Sequence, residues 1–242
     1  MNHTATVKGG FLIRPVLFCG DITKAQETRL QALGYSVFRL PPSRHLPEAV
    51  ARHPDMLFSP LPDGRLLLSR DYYEEHEKAL APYRTQLLLT EDTLERDYPS
   101  DVKFNALALN GILYGGKTLS HELMRHYGRT VTVKQGYTHC SACQVGRGII
   151  TQDPSLYKAL TENGVETLLI RSGHITLNPY DTGFIGGACI PLSDTLTAFF
   201  GKIEDHPDYK AMQVFAARLG AELLSLSDEP LSDFGGGYLL PR

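Results

Sequence analysis

The chain has 242 residues, with 24 Lys and Arg against 27 Asp and Glu, for a formal net charge of −3. This balance supplies no excess positive field to neutralise phosphates and argues against a nucleic-acid binder, while 42% hydrophobic residues are enough for a sizeable core. Four cysteines do not make a disulfide scaffold at this length, no apolar run approaches the ~18 residues that span a bilayer, and Arg14 breaks the apolar N-terminal stretch, so a cytoplasmic protein with reduced thiols and no membrane partner is expected.

In chain order, FLIRPVLFCGD reads as a strand, and DITKAQETRLQAL carries apolar residues at helical spacing up to Gly34, after which YSVFRL is a strand. HPDMLFSPL and RLLLS flank a PDG turn, followed by the helix DYYEEHEKAL, a Pro82 breaker and the strand RTQLLL. FNALAL and ILYGG flank Asn110-Gly111, the dipeptide that most strongly signals a tight hairpin; the helix TLSHELMRHY, Gly128 and RTVTV follow. YTHCSACQV and IITQ flank GRG, and DPSLYKALTEN opens with a capping Asp and a Pro suited to the first helical turn, then Gly164 and VETLLI. TGFIGGACI and TLTAFF flank PLSD, before HPDYKAMQVFAARL, Gly220 and AELLSL. Gly34, Gly128, Gly164 and Gly220 each sit where a left-handed residue ends a helix.

The recurring unit is therefore ββαβ. Four copies run from about His53 to Leu226, and a fifth is split: the C-terminal LSDFGGGYLLPR supplies its first strand and the N-terminal segment the rest. Five units of roughly 45 residues nearly exhaust the chain. A unit shared between the termini closes a ring and removes exposed sheet edges, so one domain over residues 1–242 is expected: α/β, a five-bladed propeller closed by pairing N- and C-terminal segments.

This plan resembles the pentein α/β-propeller of guanidino-modifying enzymes, among them arginine deiminases, amidinotransferases and dimethylarginine dimethylaminohydrolases. His53-Pro54-Asp55-Met56-Leu57-Phe58 is similar to the His-x-Asp-x-x-Phe motif of arginine deiminases, and Phe234-Gly235-Gly236-Gly237 to the Gly-rich C-terminal strand of that group. The strings VKQGYTHCSA, GFIGGACI and LSDFGGGYLL more closely resemble a bacterial family defined only as a domain of unknown function. The resemblance places the nucleophilic Cys of pentein enzymes in the C-terminal strand, but GGGYLLPR contains none. Either the protein is a non-catalytic pentein or the nucleophile has moved to another unit.

In such a ring the first strand of each unit lines the central channel. The stretches at 53–55, 103–105, 137–140, 180–183 and 232–234 then converge His53, Asp55, Asn105, Cys140, Asp181 and Asp233. Guanidine chemistry requires a thiolate to attack the planar carbon, carboxylates to hold the guanidinium through paired hydrogen bonds, and an imidazole to move protons. Cys140 is the candidate nucleophile, with His53 and Asp55 as its catalytic partners and Asn105, Asp181 and Asp233 as substrate-binding groups. The expected ligand is a small cation of guanidino type. No cofactor and no metal is expected.

Each residue has a plainer reading. A Cys on an apolar strand is commonly a small buried hydrophobe, His53 precedes a turn-forming Pro, and Asp233 can cap a turn before the glycines. Gly111 to Thr118 fits the phosphate-loop pattern G-x-x-x-x-G-K-[ST], but Ile-Leu-Tyr in its interior favours a strand. Cys140-Ser141-Ala142-Cys143 is a CxxC; on a strand its two thiols point to opposite faces about 10 Å apart, and His139 alternates away from Cys140. Three functions follow: a thiol-dependent hydrolase or amidinotransferase-like enzyme on guanidines or amidines, a non-catalytic pentein that binds a macromolecular partner, and a nucleotide binder.

Overall fold

The computed structural model describes residues 7–8, 11–12 and 14–240; apart from a short hairpin of Val7–Lys8 with Phe11–Leu12, its strands form five three-stranded sheets. In each sheet the second strand lies between the first, antiparallel to it, and the third, parallel to it after a helical crossover; in the four complete blades a hairpin joins the first two. The complete blades are Ser59–Pro60, Leu66–Ser69 and Leu87–Thr90; Leu107–Leu109, Ile112–Gly115 and Arg129–Thr132; Ala142–Val145, Gly148–Thr151 and Thr167–Leu169; Cys189–Ser193, Leu196–Phe199 and Glu222–Ser225. The split blade pairs Gly237–Leu239 antiparallel to Val16–Cys19, and Val16–Cys19 parallel to Ser36–Arg39. The ββαβ repeat and the joining of the two ends of the chain are thus both present.

Neighbouring blades share apolar cores all the way round. Leu17 and Leu30 of the split blade pack with Ile190 and Leu192, and Cys143 and Ile150 pack with Cys189 and Phe199. Leu107 and Tyr114 pack with Ala142 and Ile149, while Phe18, Leu67 and Leu113 lie in one cluster that joins the split blade, the Leu66–Ser69 blade and the Ile112–Gly115 blade. Phe18 is the hub of the last, with ring centroids 5.1 Å from Phe38, 5.5 Å from Phe58 and 5.0 Å from Tyr83. Each three-stranded sheet still ends on a short outer strand, such as Arg129–Thr132, so the ring shortens the sheet edges rather than abolishing them.

Local chemistry explains most element ends. Thr23 and Gln26 form a reciprocal capping box on Lys24–Ala32, Asp153 caps Pro154–Glu162 through the Leu156 N–H at 2.7 Å, and Gly34, Gly164 and Gly220 take the left-handed φ that ends a helix. Gly128 does not; the helix before it, His121–Arg125, ends at His126 without a left-handed residue. Asn110 and Gly111 (φ 51° and 76°) make the hairpin turn, and Ile112–Gly115 is the central strand of its sheet. The phosphate-loop look-alike therefore spends its backbone N–H groups on strand pairing rather than presenting a concave nest to an anion. No helix among the described residues is long and apolar enough to cross a membrane.

Two expected strands begin later than the apolar pattern suggests. Pro54–Leu57 is a helical turn with Pro54 at its start, and the strand follows only at Ser59. Residues 137–141 likewise turn, with the Ser141 N–H donating to the Tyr137 carbonyl, before the strand opens at Ala142. The polar residues thus sit in turns leading into the inner strands, not on the strands themselves.

Candidate active site

These lead-in turns are joined into a hydrogen-bonded circle. The Asp55 N–H donates to the Gly235 carbonyl (3.2 Å), and the Phe234 and Gly236 N–H groups both donate to the Gly187 carbonyl (3.0 and 2.8 Å). The Gly187 N–H donates to the Cys140 carbonyl (3.0 Å). Asn105 closes the circle with its side chain: Oδ1 accepts from the His139 and Cys140 N–H groups (2.8 and 3.3 Å), and Nδ2 donates to the Asp55 carbonyl (3.0 Å). Glycine is required at 186 and 187 because the neighbouring turn and carboxylate leave no room for a Cβ.

The circle gathers five of the six candidate residues. Cys140, His53 and Asp233 line one cavity of about 410 Å³. Asn105 Nδ2 lies 3.0 Å from Cys140 Sγ, and His53 Nδ1 lies 3.7 Å from Asp233 Oδ1. Asp55 is fully buried beside the cavity and does not line it, and neither of its carboxylate oxygens has a hydrogen-bond partner. Asp233 is fixed by the Phe184 and Gly235 N–H groups, each at 2.9 Å.

The structure departs from the sequence reading at Asp181, Asn105, His139 and the CxxC. Asp181 is exposed in the loop ahead of Gly183 and does not line the cavity, because the turn that meets the circle from its blade is Gly183–Gly187. Asn105 does not line the cavity either; its amide is used on the Asp55 carbonyl, two backbone N–H groups and the thiol. His139, expected to alternate away, instead brings Nδ1 within 3.9 Å of Asp55 Oδ2, because residues 137–141 turn rather than extend. The CxxC divides for the same reason: Cys140 sits in the turn and Cys143 in the strand, where it packs with Cys189. All four cysteines are buried and free, and no cluster of metal-type ligands is found among the described residues.

Charge in this pocket is costly. Burial, and after it the Asp55 and Asp233 carboxylates, push the Cys140 thiol well above its usual range, with the Asn105 hydrogen bond acting in the opposite direction. Burial raises the Asp233 pKa to about 6, against the pull of His53 and of its two N–H donors, with Asp55 adding to the rise. A cation placed between the carboxylates and the thiol would relieve both effects.

Sequence reasoning missed Asp101, Tyr98, Tyr137 and Phe184, which also line the cavity. Tyr137 was within the stretch considered, but Tyr98 and Asp101 lie on an irregular segment with no periodic signal. His53 and Asp233 also border an adjoining cleft of about 640 Å³ that includes Asp21, Glu48 and Arg52.

The profile of a family of unknown function, DUF6873, matches residues 18–237, a span that holds every lead-in turn and reaches the first residue of the closing strand. The chain belongs to the DUF6873 family. Nothing matches among curated proteins. Among solved structures, this DUF6873 protein is similar to an agmatine deiminase of C. jejuni (TM-score 0.55, 7% identity, covering 88% of each chain). It is also similar to an amidinotransferase from Microseira wollei in the saxitoxin biosynthetic pathway (TM-score 0.54, 12% identity, 88% of this chain and 77% of the other). A third is a dimethylarginine dimethylaminohydrolase in its adduct with S-methyl-L-thiocitrulline (TM-score 0.52, 10% identity, 89% and 93%). These likenesses establish the pentein fold for the DUF6873 chain.

Proposed function

We propose that this protein is an enzyme that modifies a guanidine or amidine group through covalent catalysis by Cys140, without a cofactor. The observation that carries the reading is a pair of buried carboxylates beside a thiol: Asp233 lines the cavity with Cys140, and Asp55 lies fully buried next to them with neither oxygen hydrogen-bonded. Two buried carboxylates faced only by the His53 and His139 imidazoles, at 3.7 and 3.9 Å, favour a cationic ligand, and a planar cation with paired N–H donors is the natural complement of the one that lines the cavity.

The chemistry follows from these groups. A guanidinium held at Asp233 offsets the negative charge of Asp233 and of the buried Asp55 that raises the thiol pKa, so the substrate itself favours the thiolate. His53, held beside Asp233, takes the thiol proton as Cys140 Sγ attacks the central carbon and a C–S bond forms. The C–N bond to the leaving amine breaks as His53 delivers that same proton to the departing nitrogen. His53 then takes a proton from water or an acceptor amine, which attacks the same carbon and expels Cys140. Water completes a hydrolysis; an amine completes an amidino transfer.

The competing reading, a non-catalytic pentein that binds a macromolecule, draws on the raised thiol pKa and on a C-terminal strand, Gly237–Leu239, that holds no Cys. Native alkylation separates the two. Cationic 2-chloroacetamidine and neutral 2-chloroacetamide are compared at equal concentration, and the four cysteines are followed by peptide mass. The proposal expects the cationic reagent to label Cys140 selectively and far faster than the neutral one. Equal, slow labelling of Cys140 and Cys143 by both reagents would reject thiol catalysis and favour the binding reading.

A further inference from the structure

We infer that the ligand of this cavity is a guanidine or amidine bearing an aryl or similarly planar apolar substituent, and not a free amino acid. The inference rests on the proposed function for the cationic end and extends it to the rest of the ligand. The cavity has a polar floor of His53, Cys140 and Asp233, and its wall carries Tyr98, Tyr137 and Phe184, contributed by segments that precede three different blades. Tyr137 stacks on both of the others, with centroids 5.7 Å from Tyr98 at 29° and 5.8 Å from Phe184 at 27°.

The stack is a built feature. A Cβ at Gly136 would come within 2.6 Å of Tyr98 Cε2, so glycine there is what lets the Tyr98 ring lie against its neighbour. The Tyr137 hydroxyl donates to Asp101 Oδ2 at 2.7 Å, which holds the middle ring. Phe184 is fixed through its backbone N–H, which binds the floor carboxylate Asp233. Rings and floor are therefore positioned by one hydrogen-bonded assembly.

Asp101 is a nearly buried lining residue, 3% exposed, whose one hydrogen bond is spent on the Tyr137 hydroxyl, so it holds the middle ring in place. A free amino acid would present a carboxylate and an ammonium to three rings and a carboxyl group. Among the described lining residues the fixed positive charge is Arg96, exposed at the rim. An aromatic group against such a wall combines apolar burial with ring–ring contact.

The test is calorimetric titration of the full chain carrying Cys140→Ser, so that no covalent step intervenes, with phenylguanidine, methylguanidine and arginine as probes. Phenylguanidine is expected to bind about tenfold more tightly than methylguanidine or arginine. Adding Tyr98→Ala should shrink the phenyl-over-methyl ratio about threefold or more. Tyr98 is 57% exposed, and Tyr98→Leu replaces the variant if the alanine form unfolds. Adding Asp55→Asn should weaken all three probes. If methylguanidine or arginine binds as tightly as phenylguanidine and Asp55→Asn still abolishes binding, the aromatic inference is wrong while the proposed function stands. If no probe binds, both are overturned.

Discussion

Asn105 links Cys140 to Asp55: its amide nitrogen lies 3.0 Å from the thiol sulfur and 3.0 Å from the Asp55 carbonyl, while its oxygen holds the backbone N–H groups of His139 and Cys140. One side chain thus braces the circle of lead-in turns and donates to the reactive atom.

Replacing Asn105 with Ala should therefore affect stability and thiol chemistry together. Two backbone N–H groups and a carbonyl lose their partner in a fully buried place, each worth about 1–3 kcal/mol when left unsatisfied. The unfolding midpoint should fall by several degrees. Because the Asn105 hydrogen bond lowers the Cys140 pKa, its loss should also shift the pH profile of Cys140 alkylation upward. A variant that loses stability and keeps the same profile would show that Asn105 is only a brace.

Asp55→Asn should separate binding from nucleophilicity. The Asp55 carboxylate raises the Cys140 pKa, so removing its charge should move alkylation by a neutral reagent to lower pH and speed it at neutral pH. The same change removes one of the two buried negative charges beside the thiol, so the preference for 2-chloroacetamidine over 2-chloroacetamide should fall. Opposite movement of the two readouts is the expected signature.

Asp233 couples folding to pH. Its folded-state pKa of about 6 stands above the ordinary carboxylate value of 3.8, so the folded state holds this proton more tightly than the unfolded chain. The contribution is complete below about pH 4 and is lost as pH rises through about 6, by an amount on the order of 2–3 kcal/mol. Urea midpoints measured between pH 4 and 7 should fall more steeply for the wild type than for Asp233→Asn. Guanidinium binding should show the opposite trend, strengthening as pH rises through 6, because the cation pairs with the ionised carboxylate.

The blade repeat was readable because hairpin turns, helix stops and apolar strands recur as local signals. Asn110-Gly111 and Gly164 behave as their chemistry dictates, and the split blade follows from counting the units. Five of six candidate residues converge because the segments leading into the inner strands are equivalent in a closed ring. What was not readable depends on turns. A Pro at the first helical position bends residues 54–57 out of the expected strand, and the turn at 137–141 swings His139 toward Asp55. The same shift leaves Asp181 outside, since alignment by strand number put the site several residues too early in that blade. Tyr98 and Asp101 sit on a segment whose path is set by tertiary packing, and no pattern along the chain marks them.

Glycine substitutions should rank by what surrounds each position. At Gly186, which lacks a left-handed φ, a Cβ would come within 2.6 Å of the Cys140 and Ala142 carbonyl oxygens and closer still to that of His139. Those are backbone atoms of the turn that carries the thiol, so Gly186→Ala should be strongly destabilising, by about 3 kcal/mol or more on the scale of severe overpacking. At Gly187 the clash is with the Asp233 carboxylate, a side chain, so the protein should fold with a smaller loss and Asp233 displaced from its two N–H donors. Gly187→Ala should accordingly flatten the pH 4–6 stability slope as Asp233→Asn does. Gly128 has open space around it and no left-handed φ, so Gly128→Ala should be neutral or stabilising by about 0.4–1 kcal/mol. Urea denaturation of the three variants, read with the alkylation rate of Cys140, checks the order; a Gly187→Ala protein that keeps the wild-type pH slope would show that the neighbouring turn, and not Asp233, gives way.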